Sequence, residues 1–328
     1  MALAAPVYTV TRPNQINGAG DELALVIEEF TGMVEGTLER KSEIQGWIPV
    51  KSVKGTATLT NYAVGESTLQ VLDPGKVPDS TKNDFSRIAV TVDTVVLARA
   101  AFPLLEVFQT NFDARREVAT EHGKKISKFY DQAFFIQAAK AAAATVSPCG
   151  SDGHLGGSVQ TLGAAGDATD PAKLYAAIAN LFVKMEQKDV DPRSDDITLV
   201  MPPAQFYTLL QAEQIVNGNY VTADGTSMNT FIFKAFGCPV ISTNNTPAGK
   251  TIAGHELSNT RNSNAYDGNF SKLLVQAFSP RSLLAGETIP LTSKVFFDDL
   301  SKTWFVDSWL SFAVTPNRPE FAGSILIP

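Results

Sequence analysis

The feature that most limits how this chain can fold is a stretch of about forty residues, from Trp47 to Phe85, that contains short strand-like runs but little to build a core. The runs Trp47–Val50 and Gly55–Thr60 indicate two short strands, and the whole stretch is typical of a long hairpin. An isolated two-stranded ribbon is marginal in water at best. The hairpin therefore either folds back on its own domain or lies on another subunit, and the residues alone leave both possibilities open.

Two segments carry strong helix patterns. The longer lies between Asn111 and Ala144, and at ~1.5 Å per residue it would span about 50 Å. Gly123 lies near its middle and costs roughly 1 kcal/mol relative to alanine, so a kink or break is expected there. An amphipathic helix is predicted over Asp21–Lys41, after an arm-like stretch that shows no periodicity.

The remaining segments mix helices and strands, which predicts an α+β fold. Small residues over Ser147–Thr169 predict a flexible loop and a boundary, and the tail from Pro316 is turn-rich. Helices are predicted to begin at Pro171 and Pro202, with a short one over Phe231–Phe236. The predicted strands are Ile88–Ala98, Ile197–Met201, Leu273–Phe278, Val295–Leu300 and Trp304–Val314.

Composition excludes several classes of protein. A net charge of -7 over 328 residues argues against a basic surface that wraps nucleic acid. Two cysteines, Cys149 and Cys238, cannot form a disulfide framework or a four-thiolate metal site. The three histidines, His122, His154 and His255, lack ligand-like spacing. No apolar run approaches the ~20 residues of a membrane helix, and the start does not resemble a signal peptide, so a reducing cytoplasm is expected.

No motif predicts catalysis, and no catalytic, cofactor-binding or metal-binding residue is assigned. Ala248–Thr251 matches only the end of a phosphate-binding loop and is interpreted as a turn. Cys149 and His154 lie in the small-residue loop, where a rigid catalytic pair is not expected. The pairs Asp195–Asp196 and Asp298–Asp299 flank strands, where adjacent side chains point to opposite faces, so they are interpreted as turn or edge residues. A chain of this kind is expected to work through its surfaces.

The order of four segments resembles that of the bacteriophage major capsid proteins of the Hong Kong 97 type, and most closely their short-tailed (podovirus) branch. The resemblance is strongest over residues 20–140 and is architectural beyond them. The segments that carry it are Gly20–Phe30 in the first helix, Val64–Gln70 with Asp73–Gly75 in the hairpin, Ile88–Asp93, and Phe112–Glu117 at the start of the long helix.

The resemblance implies a division of the chain into four parts. Residues 1–43 would form an N-terminal arm and helix, and residues 44–85 an extended hairpin loop that overlies a neighbouring subunit. Residues 86–150 and 286–328 would form a peripheral domain around a long spine helix. Residues 151–285 would form an axial domain whose tips meet at the five-fold and six-fold axes.

The resemblance also implies partners. Copies would form the pentamers and hexamers of an icosahedral head in the virion, assembled in the host cytoplasm around double-stranded DNA without sequence-specific binding or a membrane. Only about twenty residues precede the first helix, so a separate scaffolding protein is implied, together with a portal protein. Some members of this family join a lysine of the loop covalently to an asparagine. Lys51, Lys54 and Lys76 are available for such a bond, but the resemblance to the short-tailed branch implies non-covalent contacts. The candidate inter-subunit contacts are Trp47, Gly65, Leu69, Val71, Leu72 and Pro74.

Two alternatives stay open at this point. One is an encapsulin-like nanocompartment subunit, which would share the fold and hold cargo proteins in place of DNA. The other is a cytoplasmic enzyme whose site residues are too scattered in the sequence to recognise. A tail or head-decoration protein is disfavoured because the long helix fits neither.

Overall fold

The computed structural model describes residue 44 and residues 46–71, 74–75, 77, 83–105, 114–150, 153–212 and 234–328. The predicted arm and the predicted helix Asp21–Lys41 lie outside these residues. The helices are α1 (Ala114–Ala143), α2 (Pro171–Glu186) and α3 (Pro203–Leu210). The strands are β1 (Val50–Ser52), β2 (Thr58–Val64), β3 (Phe85–Thr91), β4 (Val96–Pro103), β5 (Ser158–Thr161), β6 (Thr198–Met201), β7 (Lys234–Ala235), β8 (Cys238–Ser242), β9 (Thr251–Ile252), β10 (Gly268–Asn269), β11 (Leu273–Phe278), β12 (Leu283–Asp298), β13 (Thr303–Pro316) and β14 (Ala322–Leu326).

Contacts within the chain define two compact units. The described residues of the first belong to Asp93–Tyr130 and Thr288–Phe312, and the second comprises those of Glu43–Val92, Asp131–Glu287 and Ala313–Pro328. The helix α1 and the strands β12 and β13 each contribute to both units. The bounds of these units differ from those of the predicted peripheral and axial domains, and that division stays a prediction.

The first unit packs part of α1 on the antiparallel pair β4 and β13, in which Trp304 lies opposite Phe102. Ala100, Phe102 and Val306 form its buried cluster, and Val118 of α1 packs against them. Across the same strand pair, Arg99 makes two hydrogen bonds of 2.8 and 2.6 Å to the carboxylate of Asp307.

The second unit is built on a six-stranded mixed sheet with the order β5-β14-β11-β6-β8-β7. Its helix α2 begins at Pro171 after Asp170, whose side chain accepts hydrogen bonds from the backbone N–H groups of Ala172 and Lys173. The apolar face of α2 packs on the sheet through Leu174, Ile178 and Leu181, all fully buried. The end of α1 is also buried in this unit, where Phe135 contacts Phe278 of β11.

Several predictions of local structure are confirmed and others are wrong. The long helix runs without interruption through Gly123, because its second half is buried and that burial outweighs the cost of one glycine. The predicted strand Ile88–Ala98 is two strands, β3 and β4, because the chain passes from the second unit to the first at Asp93.

The predicted strand Trp47–Val50 begins only at Val50, where β1 pairs in parallel with the start of β12. In the predicted helix Phe231–Phe236, residues 231–233 lie outside the described residues. Lys234–Ala235 is instead strand β7, which turns through Phe236 and Gly237 into β8, and both turn residues have positive φ. The loop predicted over Ser147–Thr169 contains β5, and the tail predicted to be turns contains β14, which pairs with β5 and β11.

Candidate assembly surface

The hairpin predicted from the sequence is formed by β2 and β3, which pair over seven residues from Thr58 opposite Thr91 to Val64 opposite Phe85. Its inner face is apolar near the base. Ile88 and Val90 are buried there, and Leu59 packs against them. The base of the hairpin therefore folds back on its own unit. For this half of the hairpin, the first of the two possibilities left open by the sequence is correct.

The outer face of the hairpin is apolar toward its far end. Tyr62 is 70% exposed, Val64 50% and Phe85 75%. Val64 and Phe85 are directly opposite each other across the two strands, so their side chains lie on the same face. Solvent-exposed side chains of this size in one place are typical of an interaction surface.

Beyond the paired strands lie the described residues 65–71, 74–75, 77 and 83–84, which we call the hairpin tip. Its described apolar side chains extend into solvent: Leu69 is 98% exposed, Val71 89% and Val77 94%. The tip is closed by a hydrogen bond of 2.7 Å from the backbone N–H of Gly65 to the carbonyl oxygen of Asp84. The tip thus presents apolar side chains that nothing in the described part of the chain covers.

The structure brings some of the predicted contact residues together and separates others. Leu69, Val71 and Pro74 are exposed in the tip, whereas Leu72 lies outside the described residues. Gly65 is buried where the tip joins the strands. Trp47 is half-buried, with its ring centroid 5.1 Å from that of Phe278. The roles of these residues between subunits stay predictions.

Sequence reasoning missed Tyr62, Val64 and Phe85. A signal for the first two was present, because Tyr62, Ala63 and Val64 place two large apolar side chains on the same face of a strand. Phe85 could be assigned to that face only once the register of β2 and β3 was known, because a shift of one residue would turn it to the other face.

A cavity of about 650 Å³ lies beside the hairpin within the second unit. Its walls include Asn61 and Ile88 of the hairpin, Cys149 and His154 from the segment after α1, and Arg318. Asn61 donates a hydrogen bond of 2.9 Å to the side-chain oxygen of Asn317 in the same wall. The hairpin is thus held by apolar contacts of Leu59, Ala63, Ile88 and Val90 and by a polar contact of Asn61 next to the cavity.

Three of the four paired aspartates, Asp195, Asp196 and Asp299, are turn residues, and Asp298 is the last residue of a strand. Asp298 ends β12 and accepts hydrogen bonds from Leu300 and Ser301, and these bonds lower its pKa. Asp195 lies in the turn before β6 and pairs with Arg281 at 2.9 Å. Among the described residues, no group of three or more His, Cys, Asp or Glu side chains is arranged to hold a metal ion.

In the described part of the chain, no helix combines the length and apolar character needed to cross a bilayer. The two cysteines are both buried and neither forms a disulfide. Burial raises the pKa of the Cys238 thiol to about 11, and this thiol donates a hydrogen bond to the carbonyl oxygen of Pro192. A thiol with this environment is inert at neutral pH.

Comparison with solved structures identifies the fold. The capsid of cyanophage P-SCSP1u matches with a TM-score of 0.76 at 16% identity, covering 98% of this chain and 99% of that one. The mature capsid of bacteriophage PhiM1 matches with a TM-score of 0.73 at 18% identity, covering 97% of this chain and 96% of that one. The fold is that of the Hong Kong 97-type capsid subunits, a class of protein that forms closed shells.

A family model described as "Phage capsid protein" matches residues 87–322, and the chain belongs to that family. It is a major capsid protein of an icosahedral phage shell, and its place is in the virion. A comparison with curated protein sequences gives no match. The family match covers β4, α1 and five strands of the six-stranded sheet, and it ends at the first residue of β14. It begins inside β3, so most of the hairpin precedes it.

Proposed function

We propose that copies of this chain assemble as pentamers and hexamers by laying the hairpin tip and the outer face of the hairpin on a neighbouring copy. The observation that carries the proposal is the exposure of Leu69, Val71 and Val77, each about nine-tenths or more exposed. A monomer that exposed these side chains in water would gain nothing from them, whereas a partner surface would bury them.

The free energy available from burying these side chains is sufficient for assembly. Burying one Val, Leu or Phe side chain contributes about 1.5–3 kcal/mol. The exposed set on the tip and outer face comprises Tyr62, Val64, Leu69, Val71, Val77 and Phe85. Their combined burial would contribute on the order of 10 kcal/mol before the costs of association, which are themselves several kcal/mol. A weak individual contact of this kind, repeated around a closed shell, gives a stable particle.

The contents and partners of the shell are part of the same proposal. The shell encloses double-stranded DNA, and a net charge of -7 per subunit supports contact with DNA that is neither strong nor sequence-specific. A scaffolding protein and a portal protein act with it in the host cytoplasm, as in the short-tailed branch. Lys51 and Lys54 are exposed, and we propose that the contacts between subunits are non-covalent. The role is structural and needs no catalytic step.

Membership of the phage capsid family supports a phage head rather than a nanocompartment. The two differ in what the particle contains, so the contents of particles isolated from infected cells decide between them. Nuclease-protected double-stranded DNA of uniform length is expected. Particles filled with a host protein in place of DNA would contradict the proposal.

The contact itself is tested by shortening the hairpin. Because Val64 and Phe85 are paired, residues 66–83 can be replaced by a two-residue Asn-Gly turn while both strands are kept. We expect a folded, soluble subunit that forms no closed shells when expressed with its scaffolding protein, as seen by negative-stain microscopy. Normal shells from this variant would refute the proposed contact.

A matched pair of point variants separates the loss of apolar area from the gain of charge. Leu69→Asp removes an apolar side chain that is 98% exposed and adds a charge. Gln70→Asp adds the same charge at the next, also exposed, position without removing an apolar side chain. We expect Leu69→Asp to abolish shells and Gln70→Asp to retain them.

A further inference from the structure

The five residues Gly153–Gly157, which we call the bracket, connect the end of α1 to the hairpin. At one end the bracket is fixed to the body of the second unit. The backbone N–H of Gly157 donates a hydrogen bond of 2.7 Å to the carbonyl oxygen of Ala144. The ammonium group of Lys188 donates to the carbonyl oxygens of Gly156 and Gly157, at 2.9 and 2.7 Å.

This fixed end leaves no space for side chains. A Cβ atom at Gly156 would lie 2.3 Å from the carbonyl oxygen of Thr145, and one at Gly157 would lie 2.3 Å from that of Ala142. Backbone atoms cannot rotate away as a flexible side chain can. The glycines here therefore allow a close backbone contact, and the bracket is a structured element rather than the flexible loop predicted from its composition.

The other end of the bracket contacts the hairpin where the tip begins. The Nε2 atom of His154 lies 3.0 Å from the carbonyl oxygen of Val64. Since a carbonyl oxygen only accepts, Nε2 carries the proton and donates it. Gly153 has a φ of +83°, and a Cβ atom there would lie 2.9 Å from the Cβ of Glu66. The backbone of the bracket thus lies directly against the first residues of the tip.

The hairpin is anchored unevenly along its length. Near the base, Ile88, Val90 and Val92 are buried in an apolar cluster that includes Cys149. Farther out, the hairpin borders the cavity of about 650 Å³, where Ala63 is the last residue of β2 packed against that cluster and Asn61 and the bracket add polar contacts. A stiff ribbon that is fixed at the base and lies beside open space can tilt unless something holds its outer part.

We propose that the bracket sets the tilt of the hairpin, with His154 as the positioning residue. The hydrogen bond from His154 to Val64 and the close contact of Gly153 with Glu66 hold the outer part of the hairpin in one position relative to the opposite wall of the cavity. The consequence for assembly rests on the proposed function, because a fixed tilt gives every tip the same position on its neighbour. Loss of the bracket contact leaves the subunit folded with a hairpin that swings about its base.

Cys149 offers an internal probe of this motion. It is 8% exposed, lines the cavity and packs against the inner face of the hairpin, so lifting of the hairpin would uncover it further and speed its reaction with a thiol reagent. Cys238 lies in a separate cluster of the sheet and is 1% exposed, so it reports global unfolding. Comparing the two thiols therefore distinguishes a local opening from a general loss of stability.

The experiment measures the rate at which iodoacetamide modifies each cysteine in unassembled full-length subunits, by peptide mass spectrometry. We expect His154→Ala to raise the rate at Cys149 by about fivefold to tenfold, the effect of losing one hydrogen bond, and to leave the rate at Cys238 unchanged. His154→Gln retains an N–H donor and should restore most of the protection. Gln160→Ala, whose amide bonds the carbonyl oxygen of Thr161, is the matched control and should have no effect.

Equal acceleration at both cysteines would show a general destabilisation and overturn the proposal, as would no acceleration at Cys149 in His154→Ala. The test uses subunits that have not assembled, so it is independent of whether the tip contacts a neighbour. If the variant with the shortened hairpin still forms shells while His154→Ala speeds the modification of Cys149, the proposed contact between subunits is refuted and the proposed role of the bracket is supported. In a second readout, His154→Ala subunits that assemble should give shells of more than one diameter.

Discussion

The ion pair between β4 and β13 yields an asymmetric prediction for stability. The Asp307 side chain is 5% exposed, whereas that of Arg99 is 41% exposed. Changing Arg99 to Met leaves a carboxylate buried without its bidentate partner. Changing Asp307 to Asn leaves a guanidinium that can turn toward water. The two variants therefore remove the same ion pair but should lower the free energy of unfolding by different amounts.

The magnitudes follow from burial. Removing one partner of a buried pair costs about 3–5 kcal/mol, and the half-exposed position of Arg99 reduces this to about 3 kcal/mol for Arg99→Met. Asp307→Asn keeps a similar shape and should cost about 1 kcal/mol. The double variant leaves no buried charge and should be more stable than Arg99→Met alone, with a coupling of roughly 2 kcal/mol between the two positions.

Urea unfolding of the unassembled subunits measures these differences, with tryptophan fluorescence as the signal. Two of the three tryptophans, Trp304 and Trp309, lie on the same strand as Asp307, so most of the signal comes from the part of the sheet that contains the pair. Equal costs for the two single variants, or a double variant less stable than Arg99→Met, would refute the reasoning from burial. If the ion pair were exposed, each of the three variants would lose less than about 1 kcal/mol of unfolding free energy.

Three further predictions concern other parts of the chain. Gly157→Ala should lower the free energy of unfolding by about 2 kcal/mol, because the added Cβ would lie 2.3 Å from a backbone oxygen. Gly123→Ala, in open space within α1, should raise the free energy of unfolding by up to ~1 kcal/mol. Thermal unfolding measures both changes. Burial lowers the pKa of His255 from 6.5, so the unfolded chain takes up the proton first and stability should fall as the pH drops below 6.5. The fall should be shallower in His255→Gln, as urea titrations across pH would show. Finally, sedimentation of Leu69→Asp should show free subunits where Gln70→Asp shows shells.

Much of the fold could be predicted because its elements have local patterns. The α2 helix has a capping aspartate, a proline at its first position and an apolar stripe, and its predicted start is where it begins. The long helix was also predicted to within a few residues. The predicted break at Gly123 was wrong because propensity is a weak term, and the burial of Phe134, Phe135 and Ile136 in the same helix outweighs it.

The elements that were missed are those that depend on distant partners. The strand β14 has no strong pattern of its own, yet it lies in the sheet between β5 and β11. The two-residue strand β7 exists only because Phe236 and Gly237 turn the chain back onto β8. In both cases the hydrogen bonds that define the strand come from residues far away or from a tight turn, and neither leaves a periodic signature.

The sequence by itself determined that the stretch from Trp47 to Phe85 would need a partner surface, because its strands could not bury a core of their own. It also determined the long helix, through residues that favour helix over thirty positions. Only the tertiary structure decided which face of the hairpin is left apolar and exposed, since register assigns Tyr62, Val64 and Phe85 to one face. Only the tertiary structure showed that the glycines of the bracket meet other backbone segments. Contacts of that kind join residues distant in the chain, and composition alone cannot distinguish them from a flexible loop.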